Sequence, residues 1–496
     1  MSNQEVEGPF GAPVPESQEQ AELRHEELSL FDSTAVAVSS VAPAYSIAST
    51  LSAVFLIAGV GLAGPAVLIV SFIPVMFIAL SYFHLNRKNP NCGASYAWLS
   101  QVMHPTVGWF NGWVQIWTSV LFCTTAPLLA GGYTLQFLHS AFNLVDVSTI
   151  DNTKAVALVA SIWLGLVTVI CIYGIRWTTN AQWVMVIIEY ICVAGFSIGG
   201  IIKVIISHPV HSINFSLSWL NPFSIHGYSA LASGLALGVF YFWGWDTSVN
   251  LNEESKDGAR LPGKAGLISM WLLLGIFVLN TVAVQMLLGP KAVGAQDVSV
   301  LFYFGQQLFG QWASYLMIFA VLTSTVATTQ TTVLPAARIT YSMARDGVWP
   351  KMFARIHPKF QTPAVGTLVV ALLSFAGIIL TTFSSSSSSV FNNLVDNIGV
   401  LVAFYYGFTG IACAWAFRKT LGQNFRSNVT MVYLPLIGGV SLLFVCYQVM
   451  ISGGATALPD MIVLASGIPF LLFTMFKTRG KTNFFKQPRV AYDTID

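Results

Sequence analysis

The chain has 496 residues, of which 55% are hydrophobic and only 9% are charged. Because soluble globular domains carry about 25% charged residues, this composition excludes a soluble protein and indicates an integral membrane protein. The formal net charge of +2 gives no indication of a nucleic-acid partner, and the six cysteines are scattered singly, without metal-ligand or disulfide spacing.

Apolar segments long enough to cross a bilayer, which takes about 20 residues in a helix, recur along the whole chain. Twelve segments meet this criterion: 34–59, 62–84, 106–139, 154–173, 179–206, 229–252, 264–288, 311–343, 364–382, 396–417, 431–451 and 459–477. The pattern predicts an all-α integral membrane protein with about 12 transmembrane helices. An even number of spans places both chain termini on the same side of the membrane.

The Lys and Arg residues indicate which side that is, because cytoplasmic loops carry an excess of them. With the N-terminus inside, all but three of the 23 Lys and Arg residues lie on the cytoplasmic side. We therefore expect residues 1–33 to form a flexible cytoplasmic N-terminal tail. Residues 34–477 are expected to form the transmembrane transporter core, and residues 478–496 a cytoplasmic C-terminal tail.

Two of the predicted spans contain residues that interrupt a helix. Pro43 interrupts the first span, because proline removes a backbone donor and clashes with the carbonyl four residues earlier. Gly244 interrupts the sixth span, within the aromatic sequence F-Y-F-W-G-W of residues 240–245. Backbone groups freed at membrane depth must be buried in protein or line a cavity. Two broken helices five spans apart predict an inverted repeat with a binding site between its halves.

Two carboxylates lie well inside predicted spans rather than at their ends, and ionisable groups at such positions are costly and usually functional. Glu189 in the fifth span has apolar neighbours, so it is a candidate for proton exchange or for direct binding of a cation. The hydroxyls that complete this candidate cation site are on the eighth span, at Ser324, Thr325 and Thr328. The structural alternative is a protonated Glu189 that donates to a backbone carbonyl. Asp246 in the sixth span is the second candidate coupling residue; it senses protons, stabilises the break or caps the helix that follows.

Three stretches carry motifs of a known family. Residues 90–98, P-N-C-G-A-S-Y-A-W, are similar to P-x-x-G-G-x-Y-x-Y, with alanine in place of the second glycine. The sixth span has an aromatic-Gly-aromatic-carboxylate pattern followed by E-E-S-K at residues 253–256, although proline is missing from the usual position after it. Residues 336–350 closely match A-x-R-x-x-x-x-M-A-R-D-G-x-x-P. Over residues 30–477 the chain thus resembles the amino acid–polyamine–organocation superfamily, the amino-acid permeases.

This resemblance implies a LeuT-like architecture of two five-helix inverted repeats, with helices 1 and 6 broken, plus two further helices. It implies that the unwound first span offers N–H groups to a substrate carboxylate, at the positive end of a half-helix. Carbonyls of the sixth span near residues 240 and 241 are then expected to accept from the substrate ammonium, with Phe240 either a lid or a packing residue. In several relatives the position resembling Glu189 holds a lysine that stands in for a sodium ion. The implied substrate-binding residues are Ala42, Ala44, Tyr45, Ser46, Phe240, Tyr241, Phe242 and Gly244.

The sequence contains no P-loop or H-E-x-x-H motif, and its G-x-S-x-G match at residues 195–199 lies inside the predicted fifth span rather than at a strand-to-helix turn. We therefore expect no enzyme, no resident cofactor and no metal, with H+ and Na+ as candidate coupling ions. The sequence predicts a secondary active transporter of amino acids that works by alternating access in the plasma membrane (the cell or inner membrane). A polyamine or organic-amine transporter or exchanger is the alternative. The predicted partners are a small amino acid or amine and the lipid bilayer, without nucleic acid.

Overall fold

The computed structural model describes residue 23 and residues 27–150, 152–173, 175–384, 387–452 and 457–493. The secondary structure of these residues is helical, apart from one isolated bridge between Leu28 and Ser255. The predicted all-α fold is therefore confirmed.

Among the described residues, nine α-helices precede the break in the sixth span, and the first two are the halves of the divided first span. The nine are α1 (Leu30–Val41), α2 (Pro43–Leu56), α3 (Gly64–Lys88), α4 (Ser95–Val102), α5 (Pro105–Phe142), α6 (Val147–Ile150), α7 (Thr153–Tyr173), α8 (Ile175–Ser207) and α9 (Tyr228–Tyr241). The helices that follow the break are α10 (Thr247–Asn250), α11 (Leu261–Leu288), α12 (Pro290–Ala295), α13 (Val300–Phe309), α14 (Gln311–Arg345), α15 (Ala364–Thr381), α16 (Ser387–Ala416), α17 (Phe425–Ser427), α18 (Leu434–Ser452) and α19 (Leu458–Thr478).

Eleven helical stretches in the described part of the chain are long and apolar enough to cross a membrane. The shorter apolar helix α9, the first half of the broken sixth span, corresponds to the remaining predicted span. The twelve predicted spans therefore all have helical counterparts. The largest boundary difference is at α16, which begins at Ser387 rather than at 396. Its first turns are rich in Ser and Asn, so the search for apolar segments did not include them.

The predicted tails are partly ordered against the core. Ser29 caps α1 through a reciprocal pair of hydrogen bonds with Asp32, so residues 30–33 of the expected N-terminal tail are helical. Residues 1–22 and 24–26 of that tail lie outside the described residues. At the other end, Val490 N–H donates to Gln101 O at 2.9 Å and Tyr492 N–H donates to Ala416 O at 2.9 Å. The C-terminal segment is thereby attached to α4 and α16.

The first span is divided at Ala42, which adopts a left-handed conformation with φ of 51°. Pro43 does not lie inside a helix; it occupies the first turn of α2, where its missing N–H group costs nothing and its fixed φ suits the helix. The predicted break is confirmed, with the proline as the start of the second half-helix.

The sixth span is divided between α9 and α10 by a turn over residues 242–246. Gly244 in this turn has φ of +116°, and a Cβ atom there would lie 2.9 Å from the carbonyl carbon and oxygen of Ser40. Only glycine therefore allows the two breaks to come this close. Next to this contact, the hydroxyls of Ser40 and Thr247 are hydrogen-bonded at 2.9 Å.

Two groups of helices surround the breaks. In one group α5 packs against α7, α14 and α15; in the other α11 packs against α1, α3 and α10. Three of the four half-helices, α1, α2 and α10, contact both α14 and α11 and therefore lie between the two groups. The outer faces of α7, α8 and α19 expose large apolar side chains, as expected of surfaces that contact lipid.

Candidate functional site

The first turn of α2 has N–H groups without helical acceptors, as every helix N-terminus does. Pro43 has no N–H group. Ala44 N–H donates to Glu189 Oε1 at 2.6 Å, and Ser324 Oγ donates to the same oxygen at 2.7 Å. Tyr45 N–H donates to Ser324 Oγ at 3.0 Å. A carboxylate of the fifth span thus occupies the positive end of the half-helix, where the helix dipole favours an anion.

This arrangement differs from what the family resemblance implies for the first span. Ser46 N–H donates to Ala42 O at 2.9 Å, which completes the first turn. The N–H groups of Ala44, Tyr45 and Ser46 are therefore not open to a substrate carboxylate in this structure, because the protein supplies every acceptor. The substrate-binding role of these residues stays a prediction.

Glu189 is completely buried. Its second oxygen, Oε2, has no hydrogen-bond partner, and among the described residues no ion pair involves it. A buried carboxylate oxygen without a partner is costly unless it takes up a proton or a cation. The expected alternative, a protonated side chain that donates to a carbonyl, does not describe the observed contacts, since Oε1 accepts from a backbone N–H and a hydroxyl.

The three hydroxyls predicted for a cation site are not brought together as a set. The hydroxyl of Ser324 donates to Glu189, whereas the hydroxyl of Thr328 donates to Ser40 O at the first break. Thr325 instead donates to a carbonyl one turn earlier in its own helix and faces a separate gap between α5, α7 and α14. Successive residues of a helix point about 100° apart, so Thr325 cannot share the face of Ser324.

Aromatic side chains fill the space between the two breaks. Phe240 is buried, and its ring centroid lies 6.4 Å from that of Tyr45 and 6.2 Å from that of Phe122. Phe122 also packs edge-on against Tyr45 at 5.3 Å and against Trp243 at 5.1 Å. The ring of Phe240 therefore bridges α9, α2 and α5, a position that suits either a lid or a packing role.

The next two predicted residues of the sixth span contribute packing. The rings of Tyr241 and Phe242 face α11, with centroids 4.7 Å and 5.3 Å from that of Phe277. Both side chains therefore pack on α11. The carbonyl of Phe240 accepts from Trp243 N–H at 3.1 Å, which uses one of its two lone pairs.

Asp246 lies beside a small cavity of about 20 Å³, which is roughly the room that one water molecule needs. The cavity is lined by acidic, amide, hydroxyl and aromatic side chains that include Gln115, Ser119, Trp243, Asp246, Thr332 and Tyr405. Tyr405 OH donates to Asp246 Oδ2 at 3.4 Å and accepts from the indole N–H of Trp243. Although Asp246 precedes α10, its side chain caps no backbone N–H group there, which removes the capping interpretation.

The family motifs converge at one end of the helices. Arg338 and Glu254 form a fully buried ion pair, and Arg345 pairs with Glu253 at 2.9 Å. Burial raises the pKa of Glu253, but the hydrogen bonds and charge of Arg345 outweigh burial and hold this pKa below its usual value. Glu253 also accepts from Cys92 N–H at 2.9 Å. The three motif stretches are therefore tied together at this end.

Sequence reasoning missed the residues that α5 and α16 contribute. Phe122, Gln115 and Ser119 lie in α5, and Tyr405 lies in α16. Each is an ordinary residue of an apolar span, so no local signal marked it. Their role depends on which helices face the breaks, and this is a property of the tertiary structure.

The sequence profile of a family described as "Amino acid permease" matches residues 28–475, nearly the whole chain. The chain belongs to the amino acid permease family. The permease is accordingly a multi-pass membrane transporter, and the predicted fold class and transport function agree with this membership.

Curated relatives of the permease are transporters of amino acids and of an amine. It is 26% identical over 387 residues to the low-affinity putrescine importer PlaP of Escherichia coli K12, covering 75% of this chain and 78% of the relative. It is 25% identical over 353 residues to the vacuolar cationic amino acid transporter 4 of Arabidopsis thaliana (69% and 56% covered). It is 24% identical over 356 residues to the human large neutral amino acids transporter small subunit 2 (71% and 62% covered).

Proposed function

We propose that this permease is a secondary active transporter for solutes that carry an amino group, the chemistry shared by amino acids and organic amines. One observation carries the proposal: the two helix breaks meet at Ser40 and Gly244, beside a polar cavity that contains the carboxylate of Asp246. Paired breaks at the midplane are the usual position of a transporter's substrate site. The carboxylate provides an acceptor for an ammonium group. The substrates named for the relatives all carry such a group.

Alternating access follows from how the site is enclosed. At one end, the buried pair of Arg338 and Glu254 links α14 to the segment after α10. In the middle, Phe240 packs between α2 and α5. Opening toward the motif end requires separation of the ion pair, and access to the space between the breaks requires a rotation of Phe240. The described conformation therefore has both routes closed.

Coupling to H+ or another cation is assigned in this proposal to Glu189 and Asp246. Glu189 joins α8 to α2 and α14, so a change in its charge acts on the first break directly. Asp246 lies in the wall of the cavity, so a change in its charge acts on a solute bound there. We expect Glu189→Gln to abolish gradient-driven accumulation while exchange of internal for external solute continues. Unchanged accumulation would remove Glu189 from the coupling mechanism.

We further propose that the permease lies in the plasma membrane with both termini in the cytoplasm, supported by the distribution of Lys and Arg. In this orientation the ion pairs of Glu253 and Glu254 are at the cytoplasmic end. Accessibility of terminal epitope tags in intact and permeabilised cells tests the orientation. A tag detected without permeabilisation contradicts it.

The main experiment is uptake into proteoliposomes that contain the purified permease. The panel combines labelled neutral and cationic amino acids with labelled amines, each measured with H+ gradients, with Na+ gradients and without a gradient. We expect saturable uptake of at least one solute, increased by one of the gradients, and none in protein-free liposomes. Absence of saturable uptake or exchange for every solute contradicts the proposal.

A further inference from the structure

We infer that the transported solute is an aliphatic amine without a carboxylate, because the protein's own Glu189 occupies the place where a solute carboxylate would bind. This inference rests on the proposed function and narrows its substrate class. It follows from how the hydrogen-bond donors of the first break are used.

The donors are fully used. The half-helix N-terminus has two N–H groups that point away from its own turn, on Ala44 and Tyr45, and they bind Glu189 and Ser324. Ser324 donates its own hydrogen to Glu189. Protonation of Glu189 does not free either N–H group, because Oε1 remains an acceptor whether Oε2 carries a proton or not. A solute carboxylate would have to displace Glu189 and leave that buried side chain without its partners.

Positive charge that would compensate a second carboxylate is also missing from the lining of the cavity. None of the described residues that line it is Lys, Arg or His. The two arginines on α14, Arg338 and Arg345, are paired with Glu254 and Glu253. A solute carboxylate would therefore meet one or two buried carboxylates and no cation, and like charges that meet in such a site are strongly unfavourable.

The same groups favour an ammonium. Asp246 offers a carboxylate, Gln115 and Ser119 offer further oxygens, and Trp243 presents an aromatic ring at the cavity wall. Aromatic faces attract cations, most strongly when water is excluded. A primary amine with an aliphatic chain can place its ammonium beside Asp246 and its methylene groups against Trp243, Pro335 and Ile339, which also line the cavity.

The test uses pairs of solutes that differ only in the α-carboxylate: ornithine and putrescine, lysine and cadaverine, arginine and agmatine, tyrosine and tyramine. Binding to the purified permease and uptake into proteoliposomes are measured for both members of each pair. We expect the decarboxylated member of at least one pair to bind roughly tenfold or more tightly than its amino acid. Equal or tighter binding of the amino acid in every pair that binds overturns the inference. If no member binds or is transported, the proposed function itself fails.

Glu189→Ala provides the second arm, because it releases the Ala44 N–H group and the hydroxyl of Ser324. We expect this variant to reduce the preference for the amine roughly tenfold by improving binding of the amino acid. Glu189→Gln keeps an oxygen acceptor for Ala44 and is expected to keep the preference. Thr325→Ala, whose hydroxyl faces a separate gap, is the matched control on α14. An unchanged preference in Glu189→Ala, with the protein still binding the amine, contradicts the inference.

Discussion

The two helix breaks are built by opposite means. At the first break an ordinary residue, Ala42, adopts a left-handed conformation, and the exposed N–H groups are bound by side chains from α8 and α14. At the sixth break Gly244 supplies the conformation, and the nearby carboxylate of Asp246 has a long 3.4 Å hydrogen bond with Tyr405 and faces a cavity. The backbone N–H groups of the first break are bound within the protein, whereas the carboxylate of the sixth break faces a cavity.

This difference separates stability from recognition within one site. Contacts at the first break connect three helices that are distant in sequence, so their loss should appear mainly in the free energy of unfolding. Contacts at the sixth break leave a buried carboxylate beside a small polar cavity, so the loss of this carboxylate should appear mainly in substrate affinity. The four predictions below test this separation.

The largest effect is expected from Gly244→Ala. The new Cβ meets the backbone of Ser40 at 2.9 Å, and the φ of +116° is unfavourable for alanine, so the variant should lose at least about 2 kcal/mol of stability together with its uptake. The measurements are the apparent Tm in detergent and uptake by proteoliposomes. Ala42→Gly is the matched variant at the first break, where glycine accepts the left-handed conformation; we expect it to remain within about 1 kcal/mol of wild type. A normal Tm for Gly244→Ala would show that the breaks do not need this close contact.

Asp246→Asn is expected to weaken substrate affinity by roughly ten- to a hundredfold, the value of a hydrogen bond to a charged group. Its apparent Tm should stay near that of wild type, because asparagine has the same size and still accepts from Tyr405. Equilibrium binding of the transported solute measures the effect. Tyr241→Phe, whose ring packs on α11, serves as the control. Reduced stability with unchanged affinity would place Asp246 in a structural role.

Glu189→Ala, unlike Asp246→Asn, is expected to lower the stability of the protein. It leaves the buried Ala44 N–H group without its acceptor, which costs about 1–3 kcal/mol. Glu189→Gln retains an acceptor and should lose clearly less. Comparison of the two apparent Tm values measures the contribution of the hydrogen bond. Equal Tm values for the two variants would mean that the first break does not depend on it.

The smallest effect is expected from Tyr405→Phe. The change removes the hydroxyl that accepts from Trp243 and donates to Asp246, a loss of about 1 kcal/mol, or several-fold in substrate affinity. Competition binding assays on Tyr405→Phe, with Thr325→Ala as the control variant, resolve a change of this size. Affinity equal to wild type would exclude Tyr405 from the support of Asp246.

Most of the fold could be predicted from the sequence, because its signals are local. Apolar segments mark the spans, and Pro43 and Gly244 mark the two breaks. The start of α16 could not be placed, since its Ser- and Asn-rich first turns carry no apolar signal. The position of Pro43 within its span was also not predicted correctly, since it begins α2 rather than interrupting a helix.

The site was predicted as a set of residues but not as a set of contacts. Glu189, Tyr45, Phe240 and Asp246 do lie around the breaks, each identified by charge or position in a broken span. The contact of Glu189 with Ala44, 145 positions apart in the chain, could not be predicted from spacing. The same limit applies to Thr325, which follows Ser324 in the same helix but faces a different gap.

A structure of the permease with its transported solute bound, determined by electron cryo-microscopy in a lipid nanodisc, tests the central claim most directly. Our account predicts that the ammonium lies beside Asp246 while Glu189 Oε1 still accepts from Ala44 N–H. A solute carboxylate bound to the N–H groups of Ala44 and Tyr45, with Glu189 moved away, would contradict it.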